Sequence, residues 1–134
     1  MHCTDFSIFS DKTIEHFMQP QNVGYMEDAD AVGISGEPGC GDSLAIFIKV
    51  QDNVISEISF LVFGCVAAVA SSSMTTELAK GKTLEEAAKI TDTDIVAALG
   101  GLPEHKMHCS VLGASALQNA IANYRGCFAD SKAE

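Results

Sequence analysis

Three of the five cysteines stand where the chain is set to change direction: Cys40 within Gly36-Glu37-Pro38-Gly39-Cys40-Gly41-Asp42, Cys65 directly after Gly64, and Cys109 directly after His108. A thiolate is both a nucleophile and a soft metal ligand, and a helix N-terminus favours the ionised form. With Cys40 expected in a loop, and Cys65 and Cys109 at helix starts, the trio suits iron or zinc binding or the carriage of sulfur. Cys40 and Cys65 lie 25 positions apart, and Cys65 and Cys109 lie 44 apart. Those spacings exclude a Cys-x-x-Cys finger or ribbon, so a shared site has to be built by the fold. The glycines around Cys40 and before Cys65 allow sharp turns and leave room for something larger than one ion, such as a cluster. An iron–sulfur cluster normally takes four thiolates. Three are present, with Asp42 and His108 beside them as oxygen and nitrogen donors for a weaker fourth bond.

Blander readings compete at each position. A single cysteine is more often a small buried hydrophobe than a ligand, and Cys3 and Cys127, near the termini, are read that way. His2, His16 and His105 are ordinary histidines in this reading, and Asp42 could be a turn residue. Lys106 could balance anionic thiolates or be merely solvated. Three thiolates with Asp or His would also satisfy tetrahedral zinc. A cysteine hydrolase pairing Cys109 with His108 is disfavoured, because neighbours in one helical turn point in different directions.

The elements that must position these residues can be read from periodicity. Ser10-Asp11-Lys12 opens a short helix with Ile14, Phe17 and Met18 on one face, expected to be a docking face, and Pro20 stops it. Ala31-Val32-Gly33-Ile34 carries a weak strand signal, and Gly36 to Asp42 reads as a loop. Leu44, Ile46, Ile48 and Val50 alternate with Ala45, Phe47 and Lys49; Asp52-Asn53 supply a turn; Ile58, Phe60 and Val62 alternate again, giving a hairpin. Cys65 then opens a helix rich in alanine, with Met74 and Leu78, closed by Gly81. Thr83-Leu84-Glu85-Glu86 fits a capping box, and Thr91 with Asp94 suggests another helix start. After Leu99-Gly100-Gly101-Leu102-Pro103, Leu112, Ala116, Leu117, Ala120, Ile121 and Tyr124 recur at helical spacing, placing His108 and Cys109 in the first turn of the last helix. The expected fold is α+β: a small antiparallel sheet of about three strands packed against several helices. One domain over 1–134 is expected, with flexible ends at about 1–8 and 127–134.

The composition, with 47% hydrophobic residues among 134, is that of a folded chain able to bury one core. Eighteen acidic residues against eight Lys and Arg leave a formal charge of −10, which repels phosphate backbones and anionic lipid, so neither nucleic acid nor a membrane surface is an expected partner. The longest apolar stretch, Phe60 to Ala70, is too short to cross a bilayer. The first residues do not read as a secretory signal, so a cytoplasmic compartment with reduced thiols is expected.

Several motifs, in order over roughly residues 9 to 124, resemble the IscU-type iron–sulfur cluster scaffolds, equivalently the N-terminal domain of NifU. They are Phe9-Ser10-Asp11-Lys12, His16-Phe17, Asn22-Val23-Gly24, Pro38-Gly39-Cys40-Gly41-Asp42, Phe63-Gly64-Cys65, Ala70-Ser71-Ser72-Ser73, Gly81-Lys82-Thr83-Leu84-Glu85-Glu86-Ala87, Thr93-Asp94-Ile95 and His108-Cys109-Ser110-Val111-Leu112. The resemblance implies that Cys40, Cys65 and Cys109 hold a transient [2Fe-2S] cluster, with Asp42 and His108 as alternative ligands or controls on its release. It implies further that Cys109 accepts persulfide sulfur from a cysteine desulfurase, that iron and a ferredoxin-type electron donor complete the cluster, and that apo iron-sulfur acceptor proteins receive it. The chain is then a scaffold and carrier, not an enzyme, with a homodimer possible and zinc possible in the apo form. A zinc-bound persulfide acceptor is the alternative. Scaffolds served by the specialised Hsp70-type chaperone carry Leu-Pro-Pro-Val-Lys where this chain reads Leu102-Pro103-Glu104-His105-Lys106, which speaks against that partner. No inserted segment of the SufU kind lies between Cys65 and Cys109.

Overall fold

The structure, a computed structural model, describes residues 9–37, 42–102 and 108–133; the side chains of Glu37, Asp42, His108, Cys109 and residues 126–133 lie outside that description. The element order is α1 (Asp11–Met18), β1 (Ala31–Glu37), β2 (Asp42–Gln51), β3 (Val54–Phe63), α2 (Val66–Ala79), α3 (Leu84–Ala88), α4 (Asp92–Ala98) and α5 (His108–Ala133). The three strands form one antiparallel sheet in the order β1-β2-β3. This is the expected α+β architecture.

The β2–β3 hairpin turns at Asp52 and Asn53, whose φ angles of 56° and 66° are the left-handed pair that a two-residue turn between twisted strands requires. A register shift beside Lys49 and Val50 leaves Ser56 as an extra residue between the pairs Val50–Ile55 and Lys49–Glu57. That bulge lets Ile55 and Ile58, three positions apart, both face inward, where strict alternation would expose one of them. Leu44, Ile46, Ile48, Ile55, Ile58 and Phe60 thus form the sheet's share of one core with Ala70 and Met74 of α2, Leu84 and Ala87 of α3, Ile95 of α4, and Leu112, Leu117 and Ile121 of α5. Each Leu, Ile, Phe or Met side chain among them contributes about 1.5–3 kcal/mol on full burial.

The short helices are set by their caps. Thr83 with Glu86, and Thr91 with Asp94, form complete capping boxes, as their sequences predict. Two expectations are corrected at the first loop: β1 runs on through Gly36 and Glu37, and Asp42 is the first residue of β2, paired with Glu37. The ladder continues because both positions still find partners across the strand pair, which outweighs the turn propensity of glycine. At the other end of the chain, α5 extends to Ala133, through residues read from the sequence as a tail.

The helix α1 also differs from expectation. Its Ile14 and Phe17 pack against Phe9, Val66, Ala67 and Ala68, leaving Met18 as the exposed member of the anticipated docking face. Thr13 and His16, polar residues, are buried instead. Ser10 caps the helix by accepting from the Thr13 N–H and also donates to the Leu99 carbonyl. His16 Nδ1 lies 2.7 Å from Ser73 Oγ, which already accepts the Gln21 N–H at 2.8 Å. The hydroxyl proton therefore points to Nδ1, and the neutral imidazole with its proton on Nε2 is the tautomer that satisfies all three groups.

Burial pushes the His16 pKa down, against the opposing pull of Glu15 and Glu77 and with a smaller contribution from Lys12. Because the folded value lies below the unfolded value of about 6.5, the unfolded chain binds more protons in this window and stability rises with pH. The stabilisation is complete above the unfolded pKa and is lost as pH falls from there through the folded pKa. Urea midpoints measured from pH 7.5 to 5.5 should fall with decreasing pH, and His16→Gln should flatten that slope. An unchanged slope in the variant would show that another group controls it.

Candidate metal and sulfur site

The topology decides which residues can meet. Glu37 and Asp42 close the β1–β2 ladder, and Cys40 lies in the intervening segment 38–41, outside the described residues. Across β2, Ser43 pairs with Phe63, so Asp42 and Gly64 leave the sheet side by side, one step beyond that pair. Cys65 follows as the N-cap of α2 with an extended backbone, half-buried and outside any disulfide. An apolar floor of Val62, Val66, Ala67, Phe9 and Leu102 supports it.

The third cysteine is brought in by α5, which runs antiparallel to β1. Asn123 Nδ2 donates to the Val32 carbonyl at 2.7 Å and Asn119 Nδ2 to the Ile34 carbonyl at 2.9 Å, so lower numbers on α5 lie beside higher numbers on β1. The first turn of α5, with His108 and Cys109, is therefore directed to the Glu37 end of β1, the end that carries the Cys40 segment, Asp42 and Cys65. The close approach is possible because β1 offers Gly33 to the helix: a Cβ there would run into the Ala116 carbonyl and the Ala120 nitrogen, and would lie 2.8 Å from the Ala120 Cα. On its other side α5 is seated by Gly113, where a Cβ would meet the Thr75 side chain of α2, and Ser110 is fully buried.

The structure thus brings the backbone of Asp42, Cys65, His108 and Cys109 to one end of the sheet. Cys40 lies outside the described residues, as do Cys3, Lys106 and the side chain of Cys127. Among the described side chains no three His, Cys, Asp or Glu groups come together, and His16, bonded to Ser73, belongs to the α1–α2 seam. Thiols with a carboxylate or an imidazole are, as residue types, chemically suited to iron or zinc. Beside that end of the sheet the outer face exposes Ile34 (67%), Leu61 and Phe63 (76%), an apolar collar of the kind that marks contact surfaces. Sequence reasoning missed Gly33, Asn119 and Asn123. A glycine inside a strand is a known sign of close backbone approach, whereas the asparagines bond to a strand more than eighty positions away and carry no local signal.

Comparison with known proteins gives the family of this fold. Residues 8–130 match the family model described as the NifU-like N terminal domain. The iron-sulfur cluster assembly scaffold protein IscU 1 of Archaeoglobus fulgidus is 59% identical over 117 residues, covering 87% of this chain and 76% of that one. The nitrogen fixation protein NifU of Azotobacter chroococcum is 49% identical over 120 residues, covering 88% of this chain and 39% of that one. The crystal structure of a NifU-like N-terminal protein from Brucella abortus superposes with a TM-score of 0.71 at 19% identity, covering 91% of this chain and 97% of that one. The chain belongs to the NifU N-terminal domain family, the family of the IscU-type scaffolds. Among the described residues no helix is long and apolar enough to cross a membrane.

Gly33 is the position at which this arrangement is most easily broken. Gly33→Ala forces α5 away from β1, a form of overpacking that costs about 1–3 kcal/mol. The urea midpoint should fall accordingly with the slope unchanged, and a midpoint equal to the parent's would show that the helix is not pinned there.

Proposed function

We propose that this protein is a scaffold on which a [2Fe-2S] cluster is built from iron and desulfurase-derived sulfur and then passed to acceptor proteins. Its relatives' names supply the class. The observation that carries the reading to this chain is that the backbone of Asp42, Cys65 and the start of α5 comes to one end of the sheet, the end at which β1 stops with two residues between it and Cys40 in the sequence.

In this reading the thiolate of Cys109 attacks the outer sulfur of a persulfide on a cysteine desulfurase, the partner's thiolate leaves, and a persulfide remains on Cys109. Two sulfane sulfurs need four electrons to become two sulfides. Two ferrous ions oxidised to ferric supply two of these, and a ferredoxin-type donor supplies the rest. Cys40, Cys65 and Cys109 hold the irons as thiolates, and Asp42 or His108 completes the coordination. The desulfurase meets the apolar collar of Ile34, Leu61 and Phe63, since α1 spends its apolar face on the core. Because the fourth ligand is an oxygen or nitrogen donor, the cluster is held less firmly than by four thiolates, and release to an apo-protein becomes possible.

Anaerobic incubation with ferrous iron, cysteine, a desulfurase and a reductant, followed by visible absorption, tests the reading. The parent, Cys3→Ser and Cys127→Ser should develop cluster bands, while serine at Cys40, Cys65 or Cys109 should abolish or sharply reduce them. Normal assembly by all three single variants would refute the constellation. Absence of cluster from the parent, with zinc retained, would favour a zinc-bound sulfur acceptor.

Asp42 controls lability in the same reading. Asp42→Ala removes an exchangeable oxygen donor and a negative charge from a thiolate-rich site, so its cluster should decay several-fold more slowly in the presence of a chelator or apo-ferredoxin. Decay as fast as the parent's would make Asp42 a strand-end residue and nothing more.

A further inference from the structure

An edge strand leaves every second backbone N–H and C=O turned away from its sheet. On β1 the outward carbonyls of Val32 and Ile34 are both taken by α5, through Asn123 and Asn119. Both asparagines are exposed, so neither is there to fill the core. Two strand residues span about 6.6 Å and four helical residues rise about 6 Å. The two bonds therefore close together in one register of α5 along β1, and a slip of a full helical turn would leave at most one of them. Between the two gripped residues lies Gly33, against Ala116 and Ala120. The glycine sets how near the helix comes, and the amides set how far along the strand it sits.

We propose that Asn119 and Asn123 are positioning residues for the cysteine site: they lock α5 in register against β1, and so place Cys109, ten positions before Asn119 on α5, relative to Asp42 and the segment that carries Cys40. A displacement of α5 by one residue would carry its first turn about 1.5 Å and rotate it by about 100°. Metal–ligand distances hold to about 0.2 Å, so a loose register spoils the site while the core remains packed. The lock itself stands on the hydrogen bonds; its consequence for a cluster rests on the scaffold reading above.

The test separates the two. In a chain with Cys3, Cys40 and Cys127 replaced by serine, spin labels on Cys65 and Cys109 report the interspin distance by dipolar broadening in frozen solution. The parent background is compared with Asn119→Ala/Asn123→Ala, which removes both donors, and Asn119→Asp/Asn123→Asp, which sets a carboxylate against each carbonyl at nearly constant shape. The distance distribution should broaden or shift in the order parent, Ala, Asp, with far-UV circular dichroism unchanged. With all cysteines restored, the variants should lose reconstituted cluster to a chelator about twofold to tenfold faster than the parent, the factor expected for lost hydrogen bonds of ordinary strength, and show altered visible circular dichroism well below their unfolding midpoints. An unchanged distance distribution overturns the lock. A changed distribution with parental cluster lifetime and visible dichroism overturns the positioning role. If the parent takes up no cluster, the scaffold reading fails, and the spin-label comparison alone decides the lock.

Discussion

The arrangement depends on one close approach: α5 lies against β1 with no side chain between them at Gly33. Burial against the sheet holds the helix down, through Leu112, Leu117 and Ile121, but a greasy face alone would tolerate sliding and rotation. Contact of backbone with backbone, bracketed by two amide bonds to the strand edge, admits one arrangement. Everything at the sheet end follows from it, because β1 leads into the Cys40 segment while α5 begins with His108 and Cys109. The β2–β3 hairpin, held by its two-residue turn and its bulge, delivers Asp42 and Cys65 to the same place.

That end of the molecule combines two properties seldom found together in a stable domain. It brings the backbone of Asp42, Cys65 and the start of α5 together, where the proposed site would set thiolates and a carboxylate against one another, and it exposes Ile34, Leu61 and Phe63. Neither feature favours the folded chain. Stability comes from the opposite side of the sheet and from the α1–α2 seam, where His16, Gln21 and Asn22 bond to Ser73, Thr76 and Glu77. Core and proposed site are thus divided between regions, so in the scaffold reading a change of occupant need not disturb the packing that holds the fold.

Much of the fold was legible because local chemistry and tertiary packing agree. The hairpin turn, both capping boxes, the strand-to-helix junction at Cys65 and the start of α5 at His108 are all written in residues that act within one turn of themselves. Legibility failed where a distant partner decides the outcome. Ile14 and Phe17 look like a binding face until the residues at the start of α2 cover them. Gly36 and Asp42 look like loop residues until pairing with Ser43 and Glu37 extends the ladder. Gly33, Asn119 and Asn123 carry little signal one by one, because their meaning lies in a contact across some eighty-five positions. The candidate ligands were legible as residue types, whereas the common sheet end of Asp42, Cys65 and the start of α5 required the strand order.

Mössbauer spectroscopy of the ⁵⁷Fe-reconstituted protein tests the central claim most directly, that three thiolates and one oxygen or nitrogen donor from a single sheet end hold the cluster. A diamagnetic two-iron centre with unlike ligand pairs should give two quadrupole doublets of equal area, one from the iron bound by two cysteines and one from the iron bound by one cysteine with Asp42 or His108. A single doublet, reporting two identical irons with thiolate ligands throughout, or iron bound without any cluster, would contradict the account.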